Sequence, residues 1–175
     1  AVIATLAKTG RDKLTVLTSP TLSSFGLWAE QLIAESLGKE GKGIVPVAGE
    51  PLLAPEHYGN DRLFVYLRLD SDDAVDADSG VDALRAAGHP VVQLDLRDRY
   101  DIGAEFYRWE YATAIAGAVL EVNPFDQPNV QSAKDKTAEV LTQYATSGSL
   151  PAHTSATSLK DLLSGASAGN YLAIM

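Results

Sequence analysis

The sequence predicts an α/β fold, a parallel sheet with helices on both faces, and two observations carry that expectation. Four runs, Leu14 to Thr18, Ile44 to Val47, Leu63 to Leu67 and Val91 to Leu94, are nearly continuously apolar or β-branched, which marks strands covered on both faces. Helical patterns alternate with these runs along the chain, as parallel neighbours require. A fifth extended run, Tyr171 to Ile174, brings the expected sheet to five strands, and 175 residues suit a single domain.

Taken in order, Ala1 to Lys8 is an alanine-rich helical stretch stopped near Gly10. The first strand ends at Ser19-Pro20. From Thr21 to about Leu37, the residues Leu22, Phe25, Trp28, Ala29, Leu32 and Ile33 recur at spacings of three and four, which predicts an amphipathic helix closed by Gly38. A helix over Val81 to Ala87 separates the third and fourth runs. Another, from about Ile102 to Val122, has an almost wholly apolar second half, Ala112 to Leu120, and is expected to be buried. The turn Asn123-Pro124-Phe125-Asp126-Gln127-Pro128 opens a further long helix, with proline where the first amides lack partners anyway. Its apolar face is Val130, Ala133, Thr137, Val140, Leu141 and Tyr144. The tail beyond Ser147 is rich in Ser, Thr, Gly and Ala and carries a short helix over Ser158 to Leu163.

Composition excludes several classes. Fourteen Lys and Arg against 23 Asp and Glu give a net charge of −9, which repels polyphosphate backbones and anionic membrane surfaces, so no nucleic acid and no membrane is expected as partner. The absence of cysteine excludes disulfides, thiolate metal sites and cysteine nucleophiles, and fits a reducing, cytoplasmic setting. No apolar run approaches the ~20 residues of a membrane helix, and there is no signal-peptide pattern. Ala1 opens in what reads as mid-helix, so the chain is expected to be a fragment of a longer protein.

Several local features have plain readings. Asp70, Asp72, Asp73, Asp76 and Asp78 suggest a calcium loop, but an EF-hand loop from Asp70 would need Gly and Glu where Val75 and Val81 stand. Gly38, Gly41 and Gly43 with Lys39 and Lys42 lack the Gly-Lys-Ser/Thr of a nucleotide loop, since Ile44 follows Gly43. They read as a helix stop and a basic turn that could border an anion. Thr18-Ser19-Pro20-Thr21 joins a strand to a helix, where open sheets bind ligands, although helix capping explains it equally. His57, His89 and His153 have no partner at ligand spacing, and no Gly-x-Ser-x-Gly elbow is present.

Gln31 and Glu35 lie one turn apart on one helix face. A carboxylate is unfavourable near the negative end of a helix dipole, which suits a base that must return its proton. On a wheel started at Val130, the apolar arc runs from about 280° at Val140 to about 20° at Leu141; Lys134 at about 40° and Lys136 at about 240° flank it, and geometry does not choose between them.

Two segments resemble the glucose-6-phosphate isomerase family. The first runs from Ser19 through Phe25-Gly26-Leu27-Trp28-Ala29-Glu30-Gln31-Leu32 into Glu35-Ser36-Leu37-Gly38-Lys39. It resembles the family's Glu-Ser-x-Gly-Lys helix ending, whose glutamate is the catalytic base. The second, Gly117 to Lys134 with Phe125-Asp126-Gln127-Pro128-Asn129-Val130-Gln131, resembles the second signature and its lysine. Gly169-Asn170-Tyr171 is similar to a Gly-Asp-Tyr segment of bacterial members, and Gly41 to Pro51 to the isomerase half of bifunctional transaldolase/phosphoglucose isomerases. Leu37 and Asn129 depart from the usual residues. The resemblance implies the second sugar isomerase (SIS) domain, a three-layer, doubly wound, flavodoxin-like fold with a five-stranded parallel sheet.

It also implies interconversion of glucose 6-phosphate and fructose 6-phosphate through a cis-enediol, without metal or redox cofactor. Glu35 would be the base, Lys134 would assist ring opening, and His57 would shuttle the ring proton. Gln31 and Lys39 would bind the substrate. The implied partners are a sugar-phosphate substrate, an upstream SIS domain of the same parent chain and a second copy in a homodimer. Because the family's phosphate loop and an arginine come from that upstream domain, the isolated chain is expected to be inactive. The alternative is a non-catalytic sugar-phosphate-binding module, but such modules keep the phosphate loop and lose the glutamate, the opposite of this chain.

Overall fold

The computed structural model describes residues 1–150 and 158–167. The chain divides into two compact units, Ala1–Gln127 and Pro128–Met175. In the first, strands β1 (Lys13–Thr18), β2 (Val45–Ala48), β3 (Arg62–Leu69) and β4 (Val91–Leu96) form a fully parallel sheet in the order β2-β1-β3-β4. Lys13 lies opposite Val45 on one side and Arg62 on the other.

Helices α1 (Val2–Lys8), α2 (Ser23–Leu37), α3 (Val75–Ala86) and α4 (Ile102–Leu120) complete this unit. Side chains alternate across each strand, so Leu63, Val65, Leu67 and Leu69 face the layer built from α1, α2 and α4, where Phe25, Ile33 and Trp109 close the core. Phe64 points to the other face, against Tyr58 and Leu84 of α3. Phe25 and Trp28 of α2 meet Phe106 of α4 edge-on at 5.1 and 4.5 Å, which seats the two helices together. Gly26 permits α2 to lie close on the sheet, because a Cβ there would come within 3.3 Å of the Ala48 Cβ. The expected α/β architecture with strands covered on both faces is therefore observed.

Two expectations are corrected. Helix α3 begins at Val75, six residues before the expected Val81, and takes Asp76 and Asp78 into its first turn. Carboxylates are favoured there by the helix dipole, whereas the weak helix propensity of Asp, Ser and Gly disguised the turn as loop. The second half of α4 is buried along one face only: Thr113, Ala116, Gly117 and Leu120 are covered, but Ile115 and Tyr111 are exposed. On the next helix Val140, Leu141 and Tyr144 of the expected apolar face are exposed.

The second unit contains α5 (Pro128–Ser147) and the short α6 (Leu159–Ser164), which Ser158 caps by accepting from the Asp161 N–H. Four strands are present among the described residues. The expected fifth, Tyr171 to Ile174, lies outside them, as do Gly169-Asn170 and His153. No helix among the described residues is long and apolar enough to cross a membrane.

Candidate functional site

In a doubly wound sheet the ligand crevice forms where crossovers leave in opposite directions, here beyond the carboxyl ends of β1 and β3. Internal hydrogen bonds fill that place. The buried Ser19 hydroxyl donates to the Leu67 carbonyl at 3.3 Å and accepts from the Leu69 N–H at 2.7 Å. Asp72 accepts from the Thr21 N–H at 2.8 Å and hydroxyl at 2.7 Å. The neighbouring cleft of about 480 Å³ is bordered by Asp73 and Asp76, the wrong sign for a phosphate. Residues Thr18 to Thr21 thus stitch β1 to β3.

The opposite end of α2 carries a different arrangement. Gln31 and Glu35 are both exposed, one turn apart, while Ile33 and Leu37 on the other face enter the core. Among the described residues the Glu35 side chain makes no hydrogen bond or ion pair, so its place depends on the helix backbone. The chain then leaves α2 through a turn with positive φ at Glu40 (57°), Gly41 (70°) and Gly43 (143°). Gly43 lies so near the helix end that a Cβ would come within 3.0 Å of the Gly38 Cα.

The lysines of this turn do not form a phosphate cradle. Lys42 donates to the Glu121 carbonyl at 3.3 Å, and Lys8 of α1 to the Val119 carbonyl at 3.2 Å, so both cations cap the carbonyl end of α4. Lys39 is buried, and its ammonium donates to the Asn123 carbonyl at 2.6 Å, the Asp126 carboxylate at 2.6 Å and the Asp126 carbonyl. All three of its donors are engaged within the chain. A cleft of about 590 Å³ runs beside the turn, bordered by Lys8, Lys42, Asp12 and Glu121, and does not include Glu35.

The loop that receives these contacts is itself fixed. Glu121 ends α4 in the left-handed conformation, with φ of 61°, and the Val122 N–H returns to the Gly117 carbonyl at 3.0 Å. The Asn123 side chain accepts from the Phe125 N–H at 3.0 Å, an Asx turn. Asp126 lies in the signature-like segment Gly117 to Lys134, but nothing in the sequence points to Lys39 as its partner 87 positions away.

The remaining candidates stand on other elements. His57 lies exposed on the 3-10 turn Pro55–His57. Lys134 lies exposed on α5, in the second unit, as does Lys136. His89 is structural: its Nε2 is 3.2 Å from the Pro55 carbonyl and its ring stands edge-on to Phe64 at 5.6 Å. Among the described residues no group of three or more acidic or histidine side chains is arranged to hold a metal ion. The fold shifts titrations elsewhere, those of Tyr66 and Glu105 among them. Burial and the bond to Asp78 push the Tyr66 phenol up to about 12, and burial pushes the Glu105 carboxyl above its ordinary range.

No family model matches the chain. Glucose-6-phosphate isomerases of Heliobacterium modesticaldum and Pediococcus pentosaceus are each 28% identical to it, over 70% of this chain and 35% of theirs. A probable glucose-6-phosphate isomerase of Haloarcula marismortui is also 28% identical, over 71% of this chain and 36% of its own. The chain therefore spans about a third of the length of these curated relatives, and the similarities support a relationship to them. The crystal structure of a hypothetical protein of Thermus thermophilus superposes with a TM-score of 0.61 at 24% identity, covering 79% of this chain and 44% of that one. That likeness concerns the fold alone.

Proposed function

We propose that this chain is the glutamate-bearing, second sugar isomerase domain of a cytoplasmic glucose-6-phosphate isomerase, with a five-stranded flavodoxin-like sheet in the complete protein. The observation that carries the reading is the Gln31–Glu35 pair, exposed on the last turns of α2 within a segment of family-like sequence. Similarity to enzymes of that name supports it. The strand order, with β4 at an edge, is compatible with a further strand beside β4.

In this reading His57 and Lys134 assist opening of the sugar ring. Glu35 takes the proton from C2 of the open aldose; the C2–H electron pair becomes the C1=C2 bond of the enediol as O1 gains a proton. O2 then gives up its proton to form the ketone, and Glu35 returns its proton to C1. Gln31, one turn back, hydrogen-bonds a substrate hydroxyl, and the Lys134 ammonium offsets negative charge that develops on the sugar oxygens. The phosphate anchor comes from an upstream domain of the same parent chain, and a homodimer completes the enzyme.

A coupled assay for fructose 6-phosphate formation tests the assignment. Full-length protein turns over and this chain alone shows little or none. Equal turnover by the isolated chain contradicts the domain assignment, and no turnover by the full-length protein contradicts the activity.

A further inference from the structure

Lys39 and Asp126 stand in the two signature-like segments, and their contact is the one place where the described structure ties those segments together by a buried charge. The Lys39 side chain is 5% exposed and that of Asp126 51%. We propose that Lys39 is a positioning residue and not a substrate contact: it latches the turn after α2 onto the 123–126 loop and so fixes the last turn of α2, which carries Glu35. The proposal rests on the reading of Glu35 as the base.

Three observations lead there. The ammonium has three N–H donors and three acceptors, two at 2.6 Å, so no donor is left for a sugar oxygen. Glu35 is exposed and unsupported by other side chains among the described residues, so its position is inherited from the end of α2. That end lacks a left-handed glycine cap, since Gly38 has φ of −77°, and the following turn relies on positive φ at three residues. A latch is needed where the helix gives no cap of its own.

The other side of the latch is firm enough to serve as an anchor. Val122 is buried, Pro124 rests on Gly117, and Asn123 closes its own turn on the Phe125 N–H. Lys42 adds a second tie from the same turn, to the Glu121 carbonyl. A compact ammonium suits three convergent oxygens; the wider, planar guanidinium of arginine would not fit them without moving the loop.

The test compares Lys39→Met, Asp126→Asn and the double variant in the full-length protein. Methionine keeps the apolar stem but no donor, and asparagine keeps the oxygen without its charge. Expected for Lys39→Met is a fall in kcat of about 10²-fold with KM changed by no more than about two-fold. Asp126→Asn loses less, and the double variant is no worse than Lys39→Met, because both remove one latch. Amide hydrogen exchange quickens in residues 38–43 and 121–127 together, while β3 stays protected.

A rise in KM of about ten-fold or more with kcat unchanged would make Lys39 a substrate contact and overturn the proposal. Unchanged kinetics would overturn it as well. If Lys39→Met does not fold, Asp126→Asn carries the same comparison. Should wild-type protein show no isomerase turnover, the functional reading fails on its own, and the exchange data still decide the latch: no coupled quickening in the two segments rejects it.

Discussion

A Cβ on Gly117 would come within 2.8 Å of the Pro124 ring, so the end of α4 and the loop beyond it meet at a separation that glycine alone permits. Alanine in a helix interior is ordinarily favoured over glycine by about 1 kcal/mol. Here the rigid pyrrolidine cannot swing aside, and the overpacking cost of about 1–3 kcal/mol wins. Gly117→Ala is therefore expected to destabilise the protein in urea unfolding. Stabilisation would show that the loop yields.

The Tyr66 hydroxyl donates to Asp78 at 2.8 Å, and Arg68 Nε donates to the same carboxylate at 2.9 and 3.0 Å. Burial opposes ionisation of Asp78, but the bonds from Tyr66 and Arg68 outweigh it and hold the carboxyl below its usual range. Its contribution is therefore present above about pH 4 and lost as the pH falls further. Tyr66 is shifted the other way, up to about 12, so its contribution is complete below about pH 10 and lost as the pH climbs through the raised value. Tyr66→Phe should cost about 1 kcal/mol at neutral pH. It should also flatten the alkaline limb of the stability profile; an unaltered limb would assign that loss to other groups.

Glu105 is buried in the first turn of α4, with Oε2 unpartnered among the described residues and Oε1 3.4 Å from Arg108. Burial pushes its carboxyl up, Arg108 pulls it back and Asp101 adds to the rise. A raised value means that the stability linked to the proton is complete below the ordinary carboxylate range and lost as pH rises through the shifted one. At neutral pH the charged form is a cost, which Glu105→Gln removes. That variant should be more stable than wild type at pH 7, with the difference shrinking toward pH 4; a difference independent of pH would contradict the linkage.

If His57 moves the ring proton, its loss should be felt only by substrate that must open. His57→Asn in the full-length protein is expected to slow turnover of glucose 6-phosphate by about 10²-fold. Proton exchange on an acyclic analogue should be unaffected. Equal slowing of both would give His57 some other part, and no slowing of either would give it none.

The parallel sheet was legible because apolar runs such as Leu63 to Leu67 carry their burial in composition, and α2 because Phe25, Ala29 and Ile33 repeat at helical spacing. The start of α3 was not, since Asp76 and Asp78 stabilise a first turn through the helix dipole while lowering propensity. Glu35 and Gln31 were legible as neighbours on one face. The engagement of Lys39 was not, because a contact across 87 positions is set by where the 121–127 loop folds back, and no local pattern encodes that. Likewise the Thr18 to Thr21 segment suited a ligand loop and a helix cap equally, and the bonds of Ser19 to Leu67 and Leu69 of β3 are encoded in no local pattern.

The central claim is that Glu35 carries the proton between C2 and C1, and solvent isotope exchange at C2 tests it most directly. Full-length protein incubated with glucose 6-phosphate in deuterated water should incorporate label at C2, and Glu35→Gln should suppress that incorporation by about 10²- to 10⁴-fold while still binding the sugar phosphate. Exchange retained at the wild-type rate in Glu35→Gln would contradict the account.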